Sequence, residues 1–324
     1  MRYRRMAAGL TGSLCMMFLI LDGRTALDSA RQGIQFCMQT VIPSLLPFFF
    51  LMGLAVGLFG GTELKFLRPI SKFCSLPRGG TAYLIPGFLG GYPMGARAIG
   101  EGVSKGQLSR RDGGRMLLFC CNAGPAFLFG ILGPMFPSPW MGWALWGIHI
   151  FSALLIGASL PGRSDGQAQS EQKPVHPAQA MGDAVRAMGL VCGWVICFRI
   201  LSGFLESWFL QALPLCWRLL LSGALELTNG CRLLPLVESV PARFILASGL
   251  LGFGGICVAM QTSSVLKELP MRNYMIGKLL HGIISMLFAA AVMYGLWYLI
   301  PAVFCIPIYC KLKRNSRISP AHAV

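Results

Sequence analysis

Long apolar runs separated by short basic stretches set the pattern of this chain. Seven of them, near Met6–Leu21, Thr40–Gly60, Met116–Phe136, Trp140–Leu160, Ala184–Leu205, Phe244–Gln261 and Ile276–Ile300, approach the roughly 20 residues that cross a hydrocarbon core. Two others are apolar but broken. Thr81–Ile99 contains Pro86, Gly87, Gly90, Gly91, Pro93 and Gly95, and Leu210–Gly230 contains Pro214, Arg218, Glu226 and Asn229. Irregular backbone at membrane depth is tolerated only inside protein or beside a water-filled cavity. Both are therefore expected to be re-entrant hairpins in an all-α polytopic membrane protein.

The flanking charges give an orientation. Met6–Leu21 follows Met-Arg-Tyr-Arg-Arg, and Leu21-Asp22-Gly23-Arg24 makes a poor cleavage site, so this run reads as a retained first helix with a cytoplasmic N-terminus. Residues 61–80 carry Lys65, Arg68, Lys72 and Arg78 against Glu63. Residues 97–115 carry Arg97, Lys105, Arg110, Arg111 and Arg115 against Glu101 and Asp112. Both read as cytoplasmic loops, so the hairpin between them enters and leaves on one side. The basic tail (Lys311, Lys313, Arg314, Arg317) also asks for the cytoplasm, whereas the span count puts it outside; a further re-entrant piece at Cys305–Cys310 or a miscounted span resolves this.

A polar linker over residues 161–183 divides the chain into halves of similar plan. Each half gives a long span, a broken segment with a polar glycine motif, then a glycine-rich span. The first has Gly90-Gly91-Tyr92-Pro93-Met94-Gly95-Ala96 and Asn122-Ala123-Gly124-Pro125-Ala126-Phe127. The second has Glu226-Leu227-Thr228-Asn229-Gly230 and Gly252-Phe253-Gly254-Gly255, leading into Gln261. Tyr92 and Asn122 are 30 positions apart, Glu226 and Gly255 are 29 apart, and the two halves begin from opposite sides. Paired interrupted segments in two inverted halves point to a transporter binding site.

Composition removes the competing classes. Hydrophobic residues make up 55% and charged residues 12%, with mean hydropathy +0.62, where soluble domains carry about 25% charge. The net charge of +16 would suggest nucleic acid in a soluble protein. Clustered between apolar spans, it is instead positive-inside bias, and the partners are the lipid bilayer and a small solute, with no nucleic acid and a homo-oligomer left open. The twelve cysteines form no CxxC pair and the four histidines no metal-ligand spacing, so buried free thiols are expected and no metal. No hydrolytic motif lies in a span, so no enzyme activity is expected.

Glu226 is the most informative residue, because an ionisable group inside a span marks a functional site by default. On a continuous helix Arg218, Ser222, Glu226 and Asn229 form one polar stripe; an interfacial helix with Glu226 in water is the bland alternative. Asn122 and Gly124 interrupt an apolar span, and Pro125 frees the carbonyl near Cys121, either as a site or as a kink with Asn122 bonding a neighbouring helix. Tyr92 is either a ligand-stacking ring or an interfacial anchor. Gln261, Ser263 and Ser264 are either ligands or a helix-end cap. Lys278 and His281 share a face near the start of the last long span, where Lys278 can snorkel to the interface. Arg199 and Arg218 suggest an anionic substrate.

The stretches GGYPMGA, CNAGPAFLFGILG, ELTNG and FGGICVAMQ, in this order within about residues 35–300, resemble the YlbJ-type sporulation integral membrane proteins of the nucleoside-recognition, or Gate-domain, group. That group is similar to concentrative nucleoside carriers, whose inverted repeats each contain a re-entrant hairpin and a broken helix. The resemblance implies repeats over 35–160 and 184–275, flanked by an N-terminal helix and loop (1–34), a C-terminal helix (276–310) and the tail (311–324). It implies a place in the outer forespore membrane and transport of a small polar or anionic solute such as dipicolinate. In such a carrier Glu226 is expected either to carry a coupling proton or sodium ion or to pair with an arginine. Its hairpin and broken-helix positions fall on Gly91, Tyr92, Pro93, Gly95, Asn122, Gly124, Pro125, Glu226, Thr228, Asn229 and Gln261. Cys-Cys-Asn-Ala-Gly-Pro stands where a more polar Ser-x-Asn-Ser-Gly-Pro is expected. A nucleoside carrier and a non-transporting scaffold for spore-envelope assembly are the alternatives.

Overall fold

The computed structural model describes residues 16–59, 63–160, 176–266, 269–296 and Tyr298, and all regular structure among them is helical. Met6–Leu21 is helical over its described part, 16–21; the basic tail, Cys305–Cys310 and linker residues 161–175 lie outside the described residues.

Among the described residues, five helical stretches are long and apolar enough to cross a membrane: Gly23–Ala55, Pro139–Ser159, Pro177–Trp208, Val240–Val265 and Met271–Met293. The first begins well before the expected start at Thr40. Helix α1 (Gly23–Phe36) passes through a wide turn at Cys37–Val41 directly into α2 (Ile42–Phe59). Pro43 explains the wide turn, since it lacks an N–H and its ring displaces the carbonyl four residues back. The hydroxyl of Ser44 donates to the Thr40 carbonyl at 2.6 Å.

The expected span Met116–Phe136 is not one helix. The residues read as a cytoplasmic loop are largely helical, as α5 (Met94–Ser104) and α6 (Arg110–Met116), and 120–124 are non-helical, with Gly124 extended, before α7 (Pro125–Met135). Arg97 and Arg115 among them are bound rather than loose. Arg115 is buried and donates to Asp112 and to the carbonyls of Cys74 and Ser75, beyond α3 (Arg68–Cys74). The broken stretch ahead of α5 holds α4 (Leu84–Phe88) and a cis Tyr92–Pro93 bond.

Helix α8 (Pro139–Ser159) matches expectation. Helix α9 (Pro177–Trp208) starts earlier than Ala184 and takes in the end of the linker, because the His176 ring accepts from the Ala178 amide and Pro177 occupies the first turn. Helix α10 (Leu215–Leu225) ends at Glu226, which is extended and caps α11 (Leu227–Leu233). Arg218, Ser222, Glu226 and Asn229 therefore form no continuous stripe. The Phe244–Gln261 span is likewise two helices, α12 (Val240–Phe253) and α13 (Gly255–Val265), separated by Gly254 at φ 81°. Helix α14 (Met271–Met293) spans the expected boundary at 275/276.

Two packed bodies result. A smaller one joins Cys37, Val41 and Phe49 to Ala184, Met188, Val191 and Val195 of α9. Small residues permit the approach of α1 to α9, for a Cβ on Gly203 would stand 2.0 Å from the Ser29 hydroxyl and one on Gly33 3.2 Å from the Ile196 Cα. The larger body holds α4 to α8 and α10 to α14. Within it α12 meets α14 at glycines, a Cβ on Gly252 lying 2.8 Å from the Gly282 Cα. Large apolar side chains such as Leu51, Trp143, Phe151, Ile283 and Leu287 face outward, as lipid-facing surfaces require.

Candidate functional site

Four chain interruptions meet where the two bodies touch: the turn at Gly91–Pro93, the non-helical segment 120–124, the extended Glu226, and Gly254. Glycine makes the meeting possible. A Cβ on Gly124 would lie 3.1 Å from the Gly91 Cα, one on Gly254 3.3 Å from the Tyr92 ring, and one on Gly255 3.2 Å from the Leu227 amide nitrogen. Of the four interruptions, the first three border an open pocket of about 70 Å³, while Gly254 packs against the Tyr92 ring beside it. Its walls come from Phe36, Thr40, Val41, Ser44 and Leu45 of the first span and Val191 and Val195 of α9. The opposite side holds Gly91, Tyr92, Ala123, Gly124, Phe127, Ile131, Glu226, Leu227, Thr228, Val258 and Gln261.

Glu226 is 4% exposed, which excludes the flat interfacial helix with its carboxylate in water. The carboxylate accepts from the amides of Thr228 (3.0 Å) and Asn229 (2.9 Å) and from the Thr228 hydroxyl. It is therefore an N-cap placed where the helix dipole favours an anion. No arginine lies within ion-pair distance of it among the described residues. Arg199 donates to Glu206 at 3.4 Å, to Asn229 Oδ1 at 3.2 Å and to Gln32 at 2.6 Å, and so ties α9 to α1 and α11. Arg218 is half-buried on α10, its Nε without a partner, and is absent from the pocket wall.

The structure thus brings Gly91, Tyr92, Gly124, Glu226, Thr228 and Gln261 to one pocket, and places the others behind it or away from it. Asn122 is fully buried behind the wall, donating from Nδ2 to the carbonyls of Gly87 (3.1 Å) and Phe119 (2.8 Å), which fastens the first broken stretch to the second. Gly95 sits at the same contact, where a Cβ would be 2.1 Å from the Cys120 carbonyl oxygen. Pro93 caps α5 and Pro125 opens α7. Asn229 bridges Arg199 to the Ser202 hydroxyl at 3.0 Å. Ser263 and Ser264 bond back to the Met260 carbonyl, as a helix end does.

Tyr92 is neither an interfacial anchor nor a free stacking surface. Its hydroxyl donates to the Leu251 carbonyl at 3.0 Å and accepts from Lys278 Nζ at 2.7 Å. Lys278 does not snorkel; it is 2% exposed and also donates to the Cys121 carbonyl at 3.0 Å. Beside it lies His281 (Nδ1 at 3.4 Å), stacked on His149 with ring centroids 4.4 Å apart. His149 was missed in the sequence, where its signal was a lone ionisable residue in the middle of an apolar run. It accepts the Ala123 amide at 3.1 Å and so holds the non-helical segment from behind. Among the described residues no three histidine, cysteine or acidic groups are placed to hold a metal ion.

The chain is 26% identical over 334 aligned residues to the sporulation integral membrane protein YlbJ of Bacillus subtilis (strain 168), covering 86% of this chain and 81% of that one. No protein-family model matches the chain, and no solved structure matches it, so kinship with the Gate-domain group stays a resemblance. The aligned relative and the five long apolar helices bear out the motif-based resemblance, and identify this chain as a multi-pass integral membrane protein related to the YlbJ-type sporulation proteins.

Proposed function

We propose that the chain moves a small polar solute across the membrane through the pocket between the two bodies. One observation carries the reading: three interrupted segments, drawn from both halves of the chain, border one pocket of about 70 Å³, and the fourth, at Gly254, packs on the Tyr92 ring beside it. Interruptions expose backbone polar groups that hydrocarbon cannot satisfy, and they are tolerated where they serve a cavity. In this reading the Gly91 turn and the Glu226 turn are the tips of re-entrant hairpins, residues 120–124 and Gly254 break their partner helices, and the halves are inverted repeats.

The wall favours a neutral, hydroxyl-bearing solute of nucleoside type. Glu226 and Thr228 offer polar groups, Gln261 adds an amide, and neither Arg199 nor Arg218 reaches the pocket. A dianion would meet a carboxylate there with no side-chain cation lining the wall. Dipicolinate, with a place in the outer forespore membrane, is the second reading. It draws on the relative's sporulation name and on the helix starts at Gly124 and Gly254, which no side chain caps.

The test is uptake of labelled uridine and of labelled dipicolinate into proteoliposomes, with wild type and Glu226→Gln. Uridine uptake that falls at least about tenfold in the variant, the equivalent of one lost charge-assisted hydrogen bond, supports the nucleoside-type reading. Dipicolinate uptake restores the anion reading. No flux of either, with folded protein, leaves the scaffold for spore-envelope assembly as the better account.

A further inference from the structure

A lysine buried at membrane depth without a carboxylate is costly, and such residues mark function by default. Lys278 is one: none of the ion pairs among the described residues includes it. Three acceptors surround its Nζ, namely the Tyr92 hydroxyl at 2.7 Å, the Cys121 carbonyl at 3.0 Å and His281 Nδ1 at 3.4 Å, and the Tyr92 ring lies below it at 4.7 Å. The other titratable groups that interact with it are the Cys121 thiol and His149 from α8, and Tyr274 is buried one turn earlier on α14.

The hydrogen-bond inventory fixes where protons can be. His281 Nε2 is 2.9 Å from the His149 carbonyl, so it must carry a hydrogen. His149 Nε2 accepts the Ala123 amide, so this ring is neutral with its hydrogen on Nδ1. An ammonium at Lys278 then matches its three acceptors one to one. Moving one proton to His281 Nδ1 keeps the network complete, since the imidazolium donates back to the neutral amine. Removing that proton from the pair breaks the match. A neutral amine has two hydrogens for three acceptors, and His281 has none to give at Nδ1. One contact must go, and two of the three run to the pocket wall: Tyr92 lines it, and Cys121 lies two residues before Ala123, which also lines it.

We propose that Lys278 and His281 share one buried proton, and that this proton controls the pocket wall through Tyr92 and the Cys121 carbonyl. In the carrier reading, on which this coupling role rests, the co-transported ion is a proton and it resides here, not on Glu226. Glu226 already accepts three hydrogen bonds within its own cap.

Hydrogen exchange of the full-length protein in nanodiscs tests this, read at residues 117–127 and corrected for the intrinsic rate. Between about pH 6 and about pH 10, the range of ordinary His and Lys titration, wild type is expected to show a step to faster corrected exchange as the proton leaves. The step should be about tenfold, the equivalent of one buried hydrogen bond. Lys278→Arg keeps its charge throughout and should stay protected without a step. Lys278→Met should exchange fast at every pH, and it serves if the arginine variant does not fold. His281→Gln keeps a donor and an acceptor but cannot share the proton, so its step should move to lower pH. A wild-type profile without a step, or an undiminished step in Lys278→Arg or Lys278→Met, overturns the proposal. The carrier reading fails separately: a step in exchange with no flux of uridine or dipicolinate removes transport and leaves the proton-controlled wall standing.

Discussion

The two broken walls of the pocket meet opposite charges and satisfy them in opposite ways: Lys278 stands behind the first wall, whereas Glu226 lines the second. On the first side the cation belongs to a helix outside the turn. Lys278 of α14 reaches in, and the wall supplies acceptors: a phenol oxygen and a backbone carbonyl. On the second side the anion belongs to the turn itself, and the amides of Thr228 and Asn229 supply donors. Neither charge neutralises the other by contact. Each is held by dipoles of its own wall, which allows one to change without releasing the other. The first arrangement joins several elements through one side chain, whereas the second is a local cap.

That contrast extends to packing, and the largest expected effect lies there. A Cβ on Gly95 meets backbone at 2.1 Å, whereas one on Gly223 first meets the tip of the Leu250 side chain at 2.4 Å. Backbone held on both sides cannot yield, and a side-chain tip can. Gly95→Ala is therefore expected to destabilise by about 3 kcal/mol and Gly223→Ala by about 1 kcal/mol, the high and low ends of overpacking costs. Unfolding in detergent, followed by circular dichroism, gives both values; equal losses would erase the distinction between the walls.

A middle-sized effect separates the fastening of the first side from the cap of the second. Asn122→Ala removes two buried hydrogen bonds, one to Gly87 across the broken stretches and one to Phe119 within its own, at a cost of about 2 kcal/mol. In Glu226→Gln one oxygen remains to accept, so about 1 to 1.5 kcal/mol is expected. The same unfolding series ranks them. An Asn122→Ala protein as stable as wild type would show that its two bonds do not fasten the first side.

The smallest effect is expected at Arg218, which is half-buried and stands apart from the pocket. Arg218→Ala should change stability by less than about 0.5 kcal/mol and leave uptake unchanged. Uptake reduced by this substitution alone would return a cation to the solute path and reopen the anionic reading.

Much of the architecture was legible in the apolar runs. Length and apolarity select a membrane helix by local rules, and Pro139–Ser159 appears where those rules put it, while Pro177–Trp208 contains the expected Ala184–Leu205. The break points were legible too, because Gly91, Asn122-Ala123-Gly124-Pro125, Glu226 and Gly254-Gly255 each defeat helix continuity locally. Less legible was the job of each polar residue. Asn122, readable as a ligand or as a bond to a neighbouring helix, donates to the Gly87 carbonyl; Arg199 donates to Asn229 and Gln32 of other helices; Lys278, readable as snorkelling, is buried.

What the sequence by itself determined is the membrane class, the broken helices and the family resemblance, all of which follow from residue type and order along the chain. Tertiary structure alone decided which polar groups share a pocket. A side chain's role depends on the donors and acceptors that other elements bring to it, and Lys278 finds its partners 186 and 157 positions away, at Tyr92 and Cys121. No local rule spans such distances. Packing does, because a buried amine must find acceptors wherever the fold provides them.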